Sequence, residues 1–165
     1  MGGILSTALG LLGQKAVQTT YSFRDLSGVL VNPVLAAVIP IVGGNIGNGN
    51  LTVSMATERT THLTGNDGVV MPSYKAGDSG HITIEMQQTS SLHHALLALF
   101  NSLKTSADSG DVSNWASTTI SLRTTLDGSG HLCTGVSFQK VPDKPYAADG
   151  QNVTWTLMAA SIINQ

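Results

Sequence analysis

Hydrophobic and polar positions alternate along most of this chain, and the period changes once. Between His81 and Gln88, Ile82, Ile84 and Met86 share one parity while Thr83, Glu85 and Gln87 share the other, which predicts a strand with one wet face. After Thr89-Ser90-Ser91, whose hydroxyls suit a helix N-cap, Leu92, Ala95, Leu96, Leu99 and Leu103 recur at helical spacing with Phe100 beside them. That is the strongest helical pattern in the chain, running to Lys104, and His94, Leu97, Asn101 and Lys104 fall on its outward side.

The rest reads as strands and turns. Tyr21 and Phe23 alternate with Thr20, Ser22 and Arg24, and Val29 and Val31 continue the pattern, predicting one long strand from Val17 that is bulged at Gly28. Ala36 to Val42 is apolar but holds Pro40, which marks an edge or a bend. The glycine-rich run Gly43 to Asn50 reads as a hairpin loop into a strand defined by Leu51, Val53 and Met55. From Glu58 to Gly80 the chain is polar, with turns around Val69 to Met71, and reads as an extended loop or projecting hairpin that contacts another chain. A hairpin follows the helix: Thr118, Ile120 and Leu122, a turn at Asp127-Gly-Ser-Gly130, then Leu132, Val136 and Phe138 on one face with Cys133, Gly135 and Ser137 on the other. The last strand sets Val153, Trp155, Leu157 and Ala159 inward against Asn152, Thr154 and Thr156. The expected fold is mainly β, a sandwich or partly closed barrel with one flanking α-helix.

Composition changes the picture in one respect. Of 165 residues only 11% are charged, against roughly 25% in ordinary soluble domains, while Ser and Thr number 35 and Gly 18. Charge depletion is typical of interface cores, so much of this exterior is expected to be covered by other copies. A net charge of −2 gives no basic field for gripping nucleic acid, and the single Cys133 forms no internal disulfide. Ile4 to Leu12 is apolar but too short to span a bilayer and lacks the positive flank of a signal peptide, so residues 1–19 read as an arm and no membrane insertion is expected.

No catalytic set emerges. Gly77-Asp-Ser-Gly80 matches the tetrapeptide around a serine-protease nucleophile, with His62 and Asp67 upstream, but both lie in one polar loop and similar tripeptides recur here as turns. A serine hydrolase built on Ser79 is therefore the weakest reading. The consecutive His93 and His94 point about 100° apart on a helix and do not chelate, and His62, His81 and His131 lack companions at ligand spacing. All five histidines are expected at solvent or at interfaces, Cys133 as a small buried or half-buried residue and Trp155 in the core, and neither metal nor cofactor is expected.

Several segments together resemble bacteriophage tail tube proteins, of the contractile-tailed type. They are Thr20-Tyr-Ser-Phe-Arg-Asp25, Leu51 to Thr60, Ile82 to Ser90, Gly135 to Pro145, and Gly150 to Met158. None is a chemical motif; their order and joint presence carry the resemblance. Residues 20–165 then form a single tail-tube-like β domain, and 1–19 an extension.

The resemblance implies a structural subunit that assembles into hexameric rings, stacked into a tube. The lumen would hold the tape measure protein and conduct DNA; a tail sheath, a baseplate and a tail terminator would be the other partners. It also implies a virion component made in the host cytoplasm, with related rings in R-type pyocins and type VI secretion tubes. On this reading Thr83, Glu85 and Gln87 face the lumen, unless Glu85 sits at a subunit boundary and pairs with Arg59 or Arg123. Asn66, Asp67, Tyr74, Lys75 and Asp78 contact the adjacent ring, and His94, Asn101 and Lys104 face the sheath. The alternative is a secreted hexameric ring of a type VI-like injection system.

Overall fold

The computed structural model describes residues 20–47 and 49–165. The arm expected over residues 1–19, and with it the start of the predicted first strand, lies outside the described residues.

The long first strand is not formed. Phe23–Asp25 makes a 3-10 turn capped by Ser22, whose Oγ accepts from the Arg24 N–H at 3.2 Å, and strand β1 (Leu26–Asn32) begins only after it. The Ser22 hydroxyl offers the backbone a local partner that competes with a ladder. Nor is Gly28 a bulge, because the ladder runs unbroken through it, with Ile41 opposite on one side and Leu122 on the other. A Cβ there would lie 2.6 Å from both Leu122 Cδ2 and the Ser121 carbonyl oxygen, so the glycine marks a close approach of two strands.

Asn32 ends β1 and builds the turn into β2 (Ala37–Val42). Its Oδ1 accepts from the N–H groups of Val34 at 3.1 Å and Leu35 at 3.2 Å, and its Nδ2 donates to Thr118 Oγ1 at 3.2 Å. Ala36 closes the turn at φ 51, in the left-handed region. Beyond β2, the glycine-rich run does not return the chain as a hairpin. It forms a short helix α1 (Gly43–Ile46) and delivers β3 (Asn50–Met55) to the opposite rim of the sheet.

The projecting hairpin is present: β4 (Thr60–Thr64) pairs with β5 (Val70–Tyr74) as a two-stranded sheet of its own. The remaining strands are β6 (Gly80–Gln87), β7 (Thr118–Thr124), β8 (Gly130–Lys140) and β9 (Asn152–Asn164), with helix α2 (Ser91–Asp108) between β6 and β7. The main sheet is antiparallel throughout, in the order β2-β1-β7-β8-β9-β6-β3.

Its two rims, β2 and β3, are consecutive in the chain, and that linkage curls the sheet. Laid flat, seven strands would hold the rims about 29 Å apart, at about 4.8 Å per step. The connection, partly helical, reaches only about 20 Å. The sheet therefore closes into a half-barrel, and α2 lies in its trough.

The helix follows its sequence pattern. Ser90 Oγ accepts from the Leu92 N–H at 3.2 Å, and Leu92, Leu96, Leu99 and Leu103 are buried against the sheet. The helix continues past Lys104 to Asp108, where the two side chains pair across one turn. Leu97, expected outward, is half-buried and packs on the core. Phe138 is the centre of the aromatic packing, its ring edge-on to Phe100 at 5.7 Å and to Trp155 at 5.5 Å.

The β7–β8 hairpin forms as expected, but the faces of β8 do not. Cys133 is buried with Val136 and Phe138, while Leu132 is half-buried on the other face. Between Cys133 and Val136 the register against β7 advances three residues for two, and Gly135 takes φ 62. One inserted residue in a period-2 strand exchanges its faces.

Candidate assembly surfaces

The wet face of the sheet is built by β3, β6 and β9. Thr83 and Glu85 are half-buried and Gln87 is exposed, all three opposite the core parity of Ile82, Ile84 and Met86. Register places Thr52 and Thr156 beside Thr83, and Asn50 and Thr154 beside Glu85. The carboxylate of Glu85 is held from both neighbouring strands: Asn50 Nδ2 donates to Oε2 at 3.3 Å and Asn152 Nδ2 to Oε1 at 3.0 Å. Within the subunit its partners are thus amides, not arginines. Arg59 is engaged by Asp78, and Arg123 lies on β7 between Ser27 and Gly130.

The hairpin separates the five residues expected to meet an adjacent ring. Asn66 and Asp67 are at its tip, where Asp67 Oδ1 accepts from the Val69 N–H at 3.1 Å. Tyr74, 78% exposed, ends β5, and the Lys75 N–H donates to the Arg59 carbonyl at 2.8 Å. Asp78 is spent on Arg59, an ion pair that fixes the base of the hairpin. Sequence reasoning noted Val69 to Met71 only as a short run between turns and did not see that they and Leu63 make this element partly apolar. Leu63 stands opposite Met71, and Val70 opposite Thr64 on the other face, all exposed. Neither five-residue strand alternates cleanly, so the period-2 signal that could have revealed them is weak.

On α2, His94, Asn101 and Lys104 are all exposed, as the helical spacing requires. His93 corrects the expectation of solvated histidines, because it is 3% exposed and its Nδ1 accepts from the Trp155 Nε1–H at 3.0 Å. Burial, then the neighbouring His94 and Lys144, holds its pKa below the ordinary imidazole range. His131 is engaged with Asn164 Oδ1 at 2.7 Å.

These positions do not assemble a hydrolase. His62 sits on β4 opposite Pro72, Asp67 turns back on its own loop, and the residue before Ser79 is committed to Arg59. Cys133 is fully buried and desolvation pushes its thiol up to about 11, which removes it as a nucleophile near neutral pH. Among the described residues no three His, Cys, Asp or Glu side chains are grouped to hold a metal, and no helix is long and apolar enough to cross a membrane.

Solved structures of similar shape include a tube and sheath complex of an extracellular contractile injection system, PVC, in its extended state, at 15% identity and TM-score 0.54 over 93% of this chain and 96% of that one. The sheath/tube terminator of the same system matches at 15% identity and TM-score 0.53, over 91% and 99%. A chain of the anti-feeding prophage (AFP) baseplate matches at 10% identity and TM-score 0.54, over 91% and 94%. At such identities the likeness establishes the fold. A search of the curated proteins finds no match. The family model described as the bacteriophage PhiTE tail tube protein matches residues 18–165, nearly the whole chain, and the protein belongs to that tail tube family.

Proposed function

We propose that this protein is the tube-forming subunit of a phage tail, six copies closing into a ring and rings stacking into a hollow tube. The observation that carries the reading is the wet face of β3, β6 and β9. Around Glu85 it carries Asn50, Thr52, Thr83, Thr154 and Thr156, with His81 and Met158 farther along the strands, and Glu85 is fastened between two amides instead of neutralised by a cation. A wall facing the lumen with Thr83, Glu85 and Gln87 would be hydrated and weakly acidic, so it would repel phosphates and let DNA slide. The same lumen would hold the tape measure protein before DNA passes.

The other surfaces take the remaining partners. The hairpin, with Asn66, Asp67, Tyr74 and Lys75, supplies the contact to the next ring, and Asp78 keeps its base in place. His94, Asn101 and Lys104 face the tail sheath, with the baseplate and tail terminator at the tube's ends. Residues 20–165 are the tube domain and 1–19 an extension of it. The subunit has no enzymatic activity and needs no cofactor; it is made in the host cytoplasm and resides in the virion.

Electron microscopy of the purified protein with its tape measure and sheath partners tests the assembly. Long tubes of uniform length are expected, whereas discrete rings alone would favour a secreted type VI-like ring. The lumen assignment is tested by Glu85→Lys: virions that assemble normally and eject DNA at the wild-type rate would remove Glu85 from the lumen wall.

A further inference from the structure

A buried side-chain hydrogen bond ties the helix to the sheet. Trp155 Nε1–H donates to His93 Nδ1 at 3.0 Å, with Trp155 fully buried and His93 nearly so. An indole has a single N–H and no acceptor, so His93 must present a bare lone pair at Nδ1 and carry its proton on Nε2. A protonated imidazole has an N–H at both nitrogens. Two donors would then face each other where water does not reach, and neither would have a partner.

We propose that the His93–Trp155 pair is an acid-released latch. At neutral pH it pins the first turn of α2 to the N-terminal part of β9, and a proton on Nδ1 of His93 expels the imidazole and lifts that turn off the sheet. On the helix, the His94 ring lies 5.6 Å from that of His93 and acts against a positive charge there. From the segment after β8, Lys144 acts on it with the same sign. From the sheet, the Trp155 ring that packs on it carries no charge. Among the described residues no carboxylate acts on it to draw the proton in.

Release has a direction. His93 is in the first turn of α2, directly after the Ser90 cap, so loosening starts at that end of the helix and reaches the outward face that bears His94. The strands beneath are joined by their own ladders and do not depend on the pair. The inference concerns the single subunit and does not rest on the tube reading.

The test is a pH titration of the isotopically labelled, unassembled full chain by NMR. From about pH 7 to about pH 4.5, the Trp155 indole proton is expected to lose at least about tenfold of its exchange protection, in step with the titration of the His93 ring. The Leu157 amide, in the same strand, should stay protected. His93→Gln keeps an acceptor without a titratable proton and should abolish the change, while His94→Gln removes a neighbour that holds the His93 pKa down and should move the midpoint upward. An unchanged midpoint in His93→Gln, or simultaneous loss of the indole and Leu157 protection, overturns the latch. Were His93→Gln not to fold, the indole-against-Leu157 comparison and the His94→Gln shift decide the matter without it.

Discussion

Asn32 is the sharpest point at which to perturb this fold. It is fully buried at the end of β1, and its one carboxamide serves three partners: two turn N–H groups and the buried hydroxyl of Thr118, 86 residues away. Asn32→Ala strands them unequally. Val34 and Leu35 are 52% and 37% exposed, so their N–H groups can turn to water, and losing the net bond costs about 0.5–1 kcal/mol each. Thr118 is 1% exposed, and leaving its hydroxyl dry costs about 1–3 kcal/mol. The sum is about 2–5 kcal/mol, a large share of the stability of an ordinary domain. Urea unfolding of the unassembled subunit, followed by tryptophan fluorescence, measures it. Thr118→Val alone should cost about 1–2 kcal/mol, because one Asn32 N–H loses its acceptor. In the double variant the orphaned hydroxyl is gone as well, so the total should fall short of the sum by about 1 kcal/mol. Strict additivity, or a loss under about 0.5 kcal/mol for Asn32→Ala, would refute the assignment of this carboxamide as the tie between the β1–β2 turn and β7.

Three further outcomes are expected. Gly28→Ala places a methyl 2.6 Å from the Ser121 carbonyl, so β1 and β7 must move apart, and the melting temperature should drop by the equivalent of about 1–3 kcal/mol; an unchanged melt would mean the strands are not so close. Ala36→Gly should raise stability by about 0.5–1 kcal/mol in the same assay, because relief of the left-handed φ of 51 outweighs the extra freedom of the unfolded glycine. The pKa of His93 is lowered in the folded state, so below its ordinary value of 6.5 the unfolded chain takes up a proton that the folded chain refuses. Its contribution to stability is full above that pH and declines below it, by at most about 1.4 kcal/mol per pH unit, and His93→Gln should flatten that part of the stability–pH curve.

The elements that could be read from sequence are those whose faces meet different solvents. β6, α2 and β9 each divide cleanly into apolar and polar sides, and the parity that put Trp155 inside and Glu85 outside follows from burial alone. What local patterns do not carry is partnership. The run Gly43 to Asn50 satisfies the chemistry of a hairpin turn, yet it bridges two rims, because β3 finds a better partner in β6 than in β2. The faces of β8 turned on one backbone angle at Gly135, which a glycine permits without announcing. His93 looked like a surface histidine because its partner is 62 residues away. The same limit applies to the assembly surfaces: Glu85 was recognisable as the charge on a wet face, whereas the two asparagines that grip it became visible only with strand register.

Pro40 lies on a rim of the curled sheet, and that has a consequence for how the protein keeps in the cell. A sheet with two bare rims can in principle grow without end, each copy templating the next into an insoluble ladder. Here the rims are unlike: β2 carries an imino acid that has no N–H to offer, while β3, Asn50 to Met55, has no proline and every amide intact. A copy that approached rim to rim would find the ladder one donor short on the β2 side. Runaway polymerisation by edge pairing is thereby disfavoured at one of its two growing ends.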